Sequence, residues 1–256
     1  MLPHIIDLVR ETGQVLLRSY NGSNVKSWEK KSMHEIVTEA DMKAEKMIIS
    51  SLQKKYPEIG ILSEEAGKVD FHDEELFWVI DPLDGTTNYA MHNPLWAVSL
   101  ALIKNKKPIL AVTYSPILDE MYYAVEGQGA YLNEQRIYVS KIDKLEDSIM
   151  THCYGYNQKY LERITKTEEY FRPIVRTTRQ FGSAALELAY VAAGRAEAYL
   201  IQGTNSWDLA PGALLVREAG GIVTDQKGIK WTTDEHSILA ANSKIHSKYL
   251  DELSKI

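Results

Sequence analysis

Apolar and polar positions along the chain switch between helical and strand periods, and the switches divide it into elements. Residues 39–55, EADMKAEKMIISSLQKK, place Ala44, Met47, Ile48, Ser51 and Leu52 on one face at helical spacing. Thr38 suits the N-cap, Asp41 three residues on completes a capping-box-like pair, and KYP ends the helix. IGILSEE then reads as a short strand running into Glu64 and Glu65, followed by a polar loop, GKVDFHDEE. In WVIDPLDGTT an apolar run predicts a buried strand, and the proline, glycine and two threonines predict a turn that opens a helix. WAVSLALI, PILAVTYS and EMYYAV predict a three-stranded meander, with KNKK as the first hairpin turn.

Beyond EGQGAYLN, strands are expected near 148–151 and 174–178, with a helix near 158–169 between them. GSAALELAYVAAG reads as an amphipathic helix, AEAYLIQG as a strand, and SWDLAPGALLVREAGG as a helix with Pro211 in its first turn and glycines at its end. GIVTD and HSILAAN are strands, and a polar helix starts from Ser243. The mixture predicts an α+β protein without repeats or linkers. One domain over 1–256 is expected, softly divided near 141–147 into halves 1–140 and 148–256.

Composition narrows the function. A chain of 256 residues, 45% hydrophobic and 25% charged, is long enough to bury roughly 70 to 75% of its unfolded surface. Cys153 is the only cysteine, so no internal disulfide forms, and a cytoplasmic location is expected. MLPHIIDLVRETGQVLL carries acids and polar residues at helical intervals, as a folded helix does and a leader does not. No run approaches the ~20 apolar residues of a membrane span. With 29 Lys and Arg against 35 Asp and Glu, the net charge of -6 argues against nucleic acid as a partner. If the ligand is a phosphate, bound cations must reverse the local sign.

The candidate chemistry sits where strands end. Asp81 and Asp84 leave the WVID strand together, and crowded carboxylates need a shared proton or a hard cation such as Mg2+ or Ca2+. Taken singly, Asp41 and Asp208 read as acids at helix starts and Glu64 and Glu65 as a solvated turn. DPLDGT looks like the phosphatase motif Asp-x-Asp-Gly-Thr with its nucleophilic first Asp. Here two residues separate the acids, and the block follows a helix, a strand and a loop rather than opening a parallel sheet. His92 and His152 show no metal-ligand spacing, and Trp78, Trp96 and Trp207 read as core or site wall.

Together, VTEAD at 37–41, SEE at 63–65, WVIDPLDGTTNY at 78–89, GSAALELAYVAAG at 182–194 and WDLAPGALLVREAGG at 207–221 resemble the inositol monophosphatase family, within the wider fructose-1,6-bisphosphatase-like superfamily. The resemblance spans essentially the whole chain. It implies a layered αβαβα sandwich, a homodimer, and Mg2+-dependent, lithium-sensitive hydrolysis of phosphate monoesters. Carried over by residue, it implies that Glu64, Asp81 and the Leu83 carbonyl hold a first ion and Asp81, Asp84 and Asp208 a second. A third is implied near Glu64, with Glu65 in its outer shell. Thr86 and Asp41 would position the attacking water and take its proton, with Glu64 assisting and no phosphoenzyme formed.

Physical sense supports that assignment. A two-ion site about 3.5 to 4 Å across needs a bridging carboxylate, and Asp81 lies between a Glu and a second Asp. Pro82 fixes the turn, and the amides of Gly85 and Thr86 suit phosphate oxygens. Asp84, Gly85, Thr86, Gly182, Ser183, Ala184 and Asp208 are the expected substrate contacts. Ile201 stands seven residues before Asp208, where inositol-selective members carry a hydroxyl-binding Glu. Arg172, Arg176 and Arg179 offer a grip on a second phosphate. Expected substrates are therefore inositol 1-phosphate or a related small monoester, with fructose 1,6-bisphosphate, NADP(H) or 3'-phosphoadenosine 5'-phosphate as alternatives. A catalytically silent phosphate-binding regulator is the alternative of another class.

Overall fold

The apolar runs become the middle strands of an eight-stranded sheet. In this computed structural model residues 1–22, 27–29, 36–71, 75–155 and 157–256 are described. The strand order is Gln135–Ile137, Gly129–Leu132, Glu120–Val125, Lys107–Ser115, Ala97–Lys104, Leu76–Asp84, Gly60–Ser63 and Gly67–Val69. Only Gly60–Ser63 runs parallel to its neighbour Leu76–Asp84; the other pairs are antiparallel. Every residue from Phe77 to Asp84 is buried, which requires cover on both faces of the sheet.

That cover explains the layering. Trp78 and Ile80 pack with the helices Leu2–Tyr20 and Glu39–Lys55 on one face. Phe77 and Val79, on the opposite face, meet the helices Ala184–Ala192 and Ser206–Glu218. These two helices also pack against a five-stranded sheet, ordered Thr177–Arg179, Ile149–Tyr154, Ala198–Gln202, Ser237–Asn242, Gly221–Thr224. Its outer face carries the helices Gln158–Phe171 and His246–Leu253. The order is αβαβα, as expected. Leu209 to Val216 are buried without a break, the mark of a helix enclosed on all sides. Gly212 lets that helix approach its neighbour, because a Cβ there would lie 2.3 Å from Leu188.

Several boundaries differ from the sequence reading. Gly67–Val69, placed in the polar loop, is a short edge strand, while residues 72–74 of that loop lie outside the described residues. Gly129–Leu132 and Gln135–Ile137 form an unexpected hairpin closed by left-handed Asn133 and Glu134. The strand expected at 174–178 begins at Thr177. Pro211 lies inside the helix rather than in its first turn and removes the helical bond to the Trp207 carbonyl.

Candidate active site

The site begins where Pro82 interrupts the sheet. Asp81 pairs with Ser99 and Asp84 with Ala97, with the register shifting between them, as a residue without an N–H requires. Leu83 N donates to Asp81 Oδ1 at 3.0 Å. Gly85 then turns the chain at φ 89°, where a Cβ would stand 2.9 Å from the Leu95 carbonyl oxygen and 3.3 Å from that of Gly182. Only glycine combines that φ with that approach. Asn88 ties the same region together, donating to the carbonyls of Leu95 and Phe181, both at 2.7 Å.

Three acids converge beside this turn. One carboxylate oxygen from each of Asp81, Asp84 and Asp208 lies within 4.8 Å of the others. Glu64 N donates to the Ile80 carbonyl at 3.2 Å, which sets Glu64 alongside Asp81 on the parallel strand. Burial pushes the Asp81 carboxyl well above the usual range, and the charges of Glu64, Asp84 and Asp208 push it further. Burial also raises Asp84, to about 6, against the Ser183 hydroxyl and the amides of Ala185 and Ala184 that favour its anion. An all-oxygen donor set, buried at Asp81 and Asp84, half-buried at Asp208 and Glu64, and crowded by its own charge, fits a hard divalent cation.

Two acids, Asp41 and Asp208, are also tied into helix starts. Thr38 N donates to Asp41 Oδ2 at 2.8 Å, the Thr38 hydroxyl donates to the same oxygen, and Asp41 N returns a bond to Thr38 Oγ1 at 3.2 Å. Asp41 is fully buried and raised to about 7, by burial first, with Thr38 opposing and the charges of Glu64 and Glu65 adding. Its other oxygen lies 3.3 Å from Thr86 Oγ1, which is also 3.0 Å from the Leu83 carbonyl. Asp208 Oδ2 accepts from the Thr204 hydroxyl and from Asn205 N at 3.0 Å. The helix-start reading and the chemical reading of Asp41 and Asp208 thus describe one geometry.

The acids open onto a cleft of about 1150 Å3. Glu64, Glu65, Leu83, Gly85, Thr86, Gly182 and Ala184 line it, as do Ile201, Tyr154 and Trp207; Tyr156 is outside the described residues. Asp41 stands behind Thr86. Ser183, expected against substrate, is instead fully buried and gives its hydroxyl to Asp84 Oδ2, so it supports an acid. The three arginines do not line the cleft. Arg172 pairs with Glu168 at 2.6 Å, Arg176 with Asp147 at 2.7 Å, and Arg179 donates back to Thr177 and to the Thr178 carbonyl. Their expected grip on a second phosphate at this cleft is therefore corrected: half-buried partners outside the cleft hold them elsewhere.

Two supporting acids escaped the sequence reading. Glu45 is 4% exposed and accepts from the Ser63 hydroxyl and from the amides of Glu65 at 3.1 Å and Ala66 at 2.9 Å, fixing the turn that presents Glu64. Its signal was its position: 41, 45, 48 and 52 share one helix face. Glu187 is fully buried and accepts from Phe181 N at 2.9 Å, Gly182 N at 3.1 Å and the Cys153 thiol at 3.1 Å. Burial raises its carboxyl to about 8. A single acid inside the apolar run AALELAYVAA was the available sign.

Known proteins match along the full length. The description "Inositol monophosphatase family" covers residues 1–256. The chain is 38% identical to an inositol monophosphatase of Dictyostelium discoideum, over 96% of this chain and 92% of that one. It is 36% identical to the Nus factor SuhB of Escherichia coli strain K12, over 99% and 97%. The crystal structure of the extragenic suppressor protein suhB from Bartonella henselae superposes with a TM-score of 0.93 at 36% identity, covering 99% of this chain and 98% of that one.

Proposed function

The chain belongs to the inositol monophosphatase family of phosphoric monoester hydrolases, and we propose that it hydrolyses small phosphate monoesters, inositol 1-phosphate or a related ester, with Mg2+. The convergence of Asp81, Asp84 and Asp208 within 4.8 Å, at a cleft also lined by Thr86, carries this reading. Glu64, Asp81, Asp84, Asp208 and the Leu83 carbonyl would hold two ions, with a third near Glu64 and Glu65. When bound, such ions neutralise phosphoryl charge and acidify water.

The chain's own groups do the rest. Thr86 faces the cleft with its hydroxyl oxygen and hands its own proton toward Asp41 Oδ1, which leaves a lone pair to orient a water for in-line attack. Asp41, whose carboxyl burial raises to about 7, is the proton's destination. Amides of Gly85 and Thr86 receive phosphate oxygens, and the Gly182–Ala184 turn meets the alcohol. With the arginines paired elsewhere, a substrate bearing one phosphate is favoured over fructose 1,6-bisphosphate, NADP(H) or 3'-phosphoadenosine 5'-phosphate. Ile201 in the cleft wall offers no acceptor for a hydroxyl, which relaxes selectivity for inositol among such esters. A homodimer and lithium inhibition complete the proposal.

The name Nus factor, carried by relatives, favours a second reading in which binding rather than turnover is the role. Phosphate release from inositol 1-phosphate and the three alternatives, with and without Mg2+, separates them. Mg2+-dependent turnover is expected. A folded chain that binds Mg2+ and releases no phosphate from any of the four would refute the enzymatic reading.

A further inference from the structure

Adjacent residues of a strand face opposite ways, and at the end of Ala198–Gln202 this sets two different environments back to back. Ile201 lines the catalytic cleft, whereas Gln202 lines a separate cavity of about 60 Å3. That cavity lies on the outer side of the smaller sheet. Arg163, Lys166 and Thr167 come to it from the helix Gln158–Phe171, Gln226 from the turn after Gly221–Thr224, and Leu253 and Ile256 close it.

Its polar lining is unsatisfied. Gln202 is 2% exposed, yet neither its Nε2 nor its Oε1 has a partner, and Gln226 Nε2 is buried and unpartnered as well. Leaving such groups unpaired is costly, and native proteins answer it with a ligand, an ion or water. Arg163 and Lys166, one turn apart, form no ion pair among the described residues. Two amide donors and two cations around a space that takes roughly four waters fit a tetrahedral oxyanion in their place.

We propose that this cavity is a second anion site, distinct from the catalytic cleft, and that it takes free inorganic phosphate. Its volume of about 60 Å3 matches a single small ion, and free phosphate is the occupant the lining fits. Thr167, whose hydroxyl donates to the Arg163 carbonyl at 2.9 Å, holds the cationic turn in place.

The test titrates inorganic phosphate into the full chain in chelator, where the crowded acids of the cleft repel it, by calorimetry. One binding event is expected in the wild type. It should weaken about tenfold or more in the double variant Arg163→Ala, Lys166→Ala, whose surface positions leave the fold and the turnover unchanged. Gln202→Leu should abolish it while melting at the wild-type temperature or above, since an apolar replacement removes both orphaned atoms. Undiminished binding in the double variant would overturn the proposal. So would a crystal structure in saturating phosphate that shows only water between Arg163 and Lys166.

Discussion

Replacing Glu45 by alanine is expected to weaken the proposed activation by Mg2+, although Glu45 itself does not line the cleft. The Ser63 hydroxyl and the amides of Glu65 and Ala66 all end on one Glu45 oxygen. At about 1 kcal/mol net for each lost bond, with donors left unsatisfied in the turn, the chain should lose ~2–4 kcal/mol of stability. The larger effect concerns Glu64, which that turn holds beside Asp81. Residues that orient a metal ligand typically cost about 10- to 100-fold in affinity when removed. The assay is the Mg2+ concentration giving half-maximal phosphate release, measured beside the urea midpoint. Glu45→Gln keeps an oxygen acceptor and should fall between the wild type and the alanine variant. A folded Glu45→Ala protein with an unshifted Mg2+ response would refute the reasoning, because Glu64 would then hold its place without the turn.

Asp84→Asn should remove most turnover while the circular dichroism and melting temperature stay at or above wild type, since one of several mutually repelling acids is gone. Gly85→Ala should cost ~1–3 kcal/mol in urea unfolding and most of the activity, because φ 89° and the 2.9 Å approach to Leu95 both oppose a side chain. Glu187 makes stability depend on pH: its folded pKa of about 8 lies above its unfolded value, so the folded state holds the extra proton. That stabilisation is complete below the unfolded pKa and is lost as pH rises through about 8, a change of up to a few kcal/mol. Glu187→Gln should flatten the unfolding free energy over that window, read by urea titration of the chain in chelator.

The meander and the helix at residues 39–55 were legible because their periods are long and their ends are marked by a turn or a cap. The hairpin at 129–137 was not, because strands of four and three residues offer too few positions to show alternation. Pro211 was misplaced for a different reason: the helix begins at Ser206, as expected, so Pro211 is its sixth residue and lies past the first turn, where the surrounding packing rather than a free N-terminus accommodates it. Asp81, Asp84 and Asp208 stood out as acids at element ends, and the structure brings them together. Glu45 and Glu187 did not, since an acid on an apolar face is ordinarily read as an exception rather than as a buried acceptor. The arginines misled in the opposite direction. Charge in a sequence does not reveal its partner, and Asp147, far upstream, lies outside the segment that suggested a pocket.

Asp41 and Asp208 each close the first turn of a helix with the same carboxyl group that faces the chemistry. In most proteins the fraying of a helix end is a silent event, detectable only by hydrogen exchange. Here it withdraws an acid from the site. Activity should therefore decay at denaturant concentrations below the global transition, with amide exchange at Ala40, Asp41 and Asn205 rising in step. The enzyme's working range would be set by the grip of two threonine hydroxyls, Thr38 and Thr204, rather than by the three apolar layers that hold its sheets.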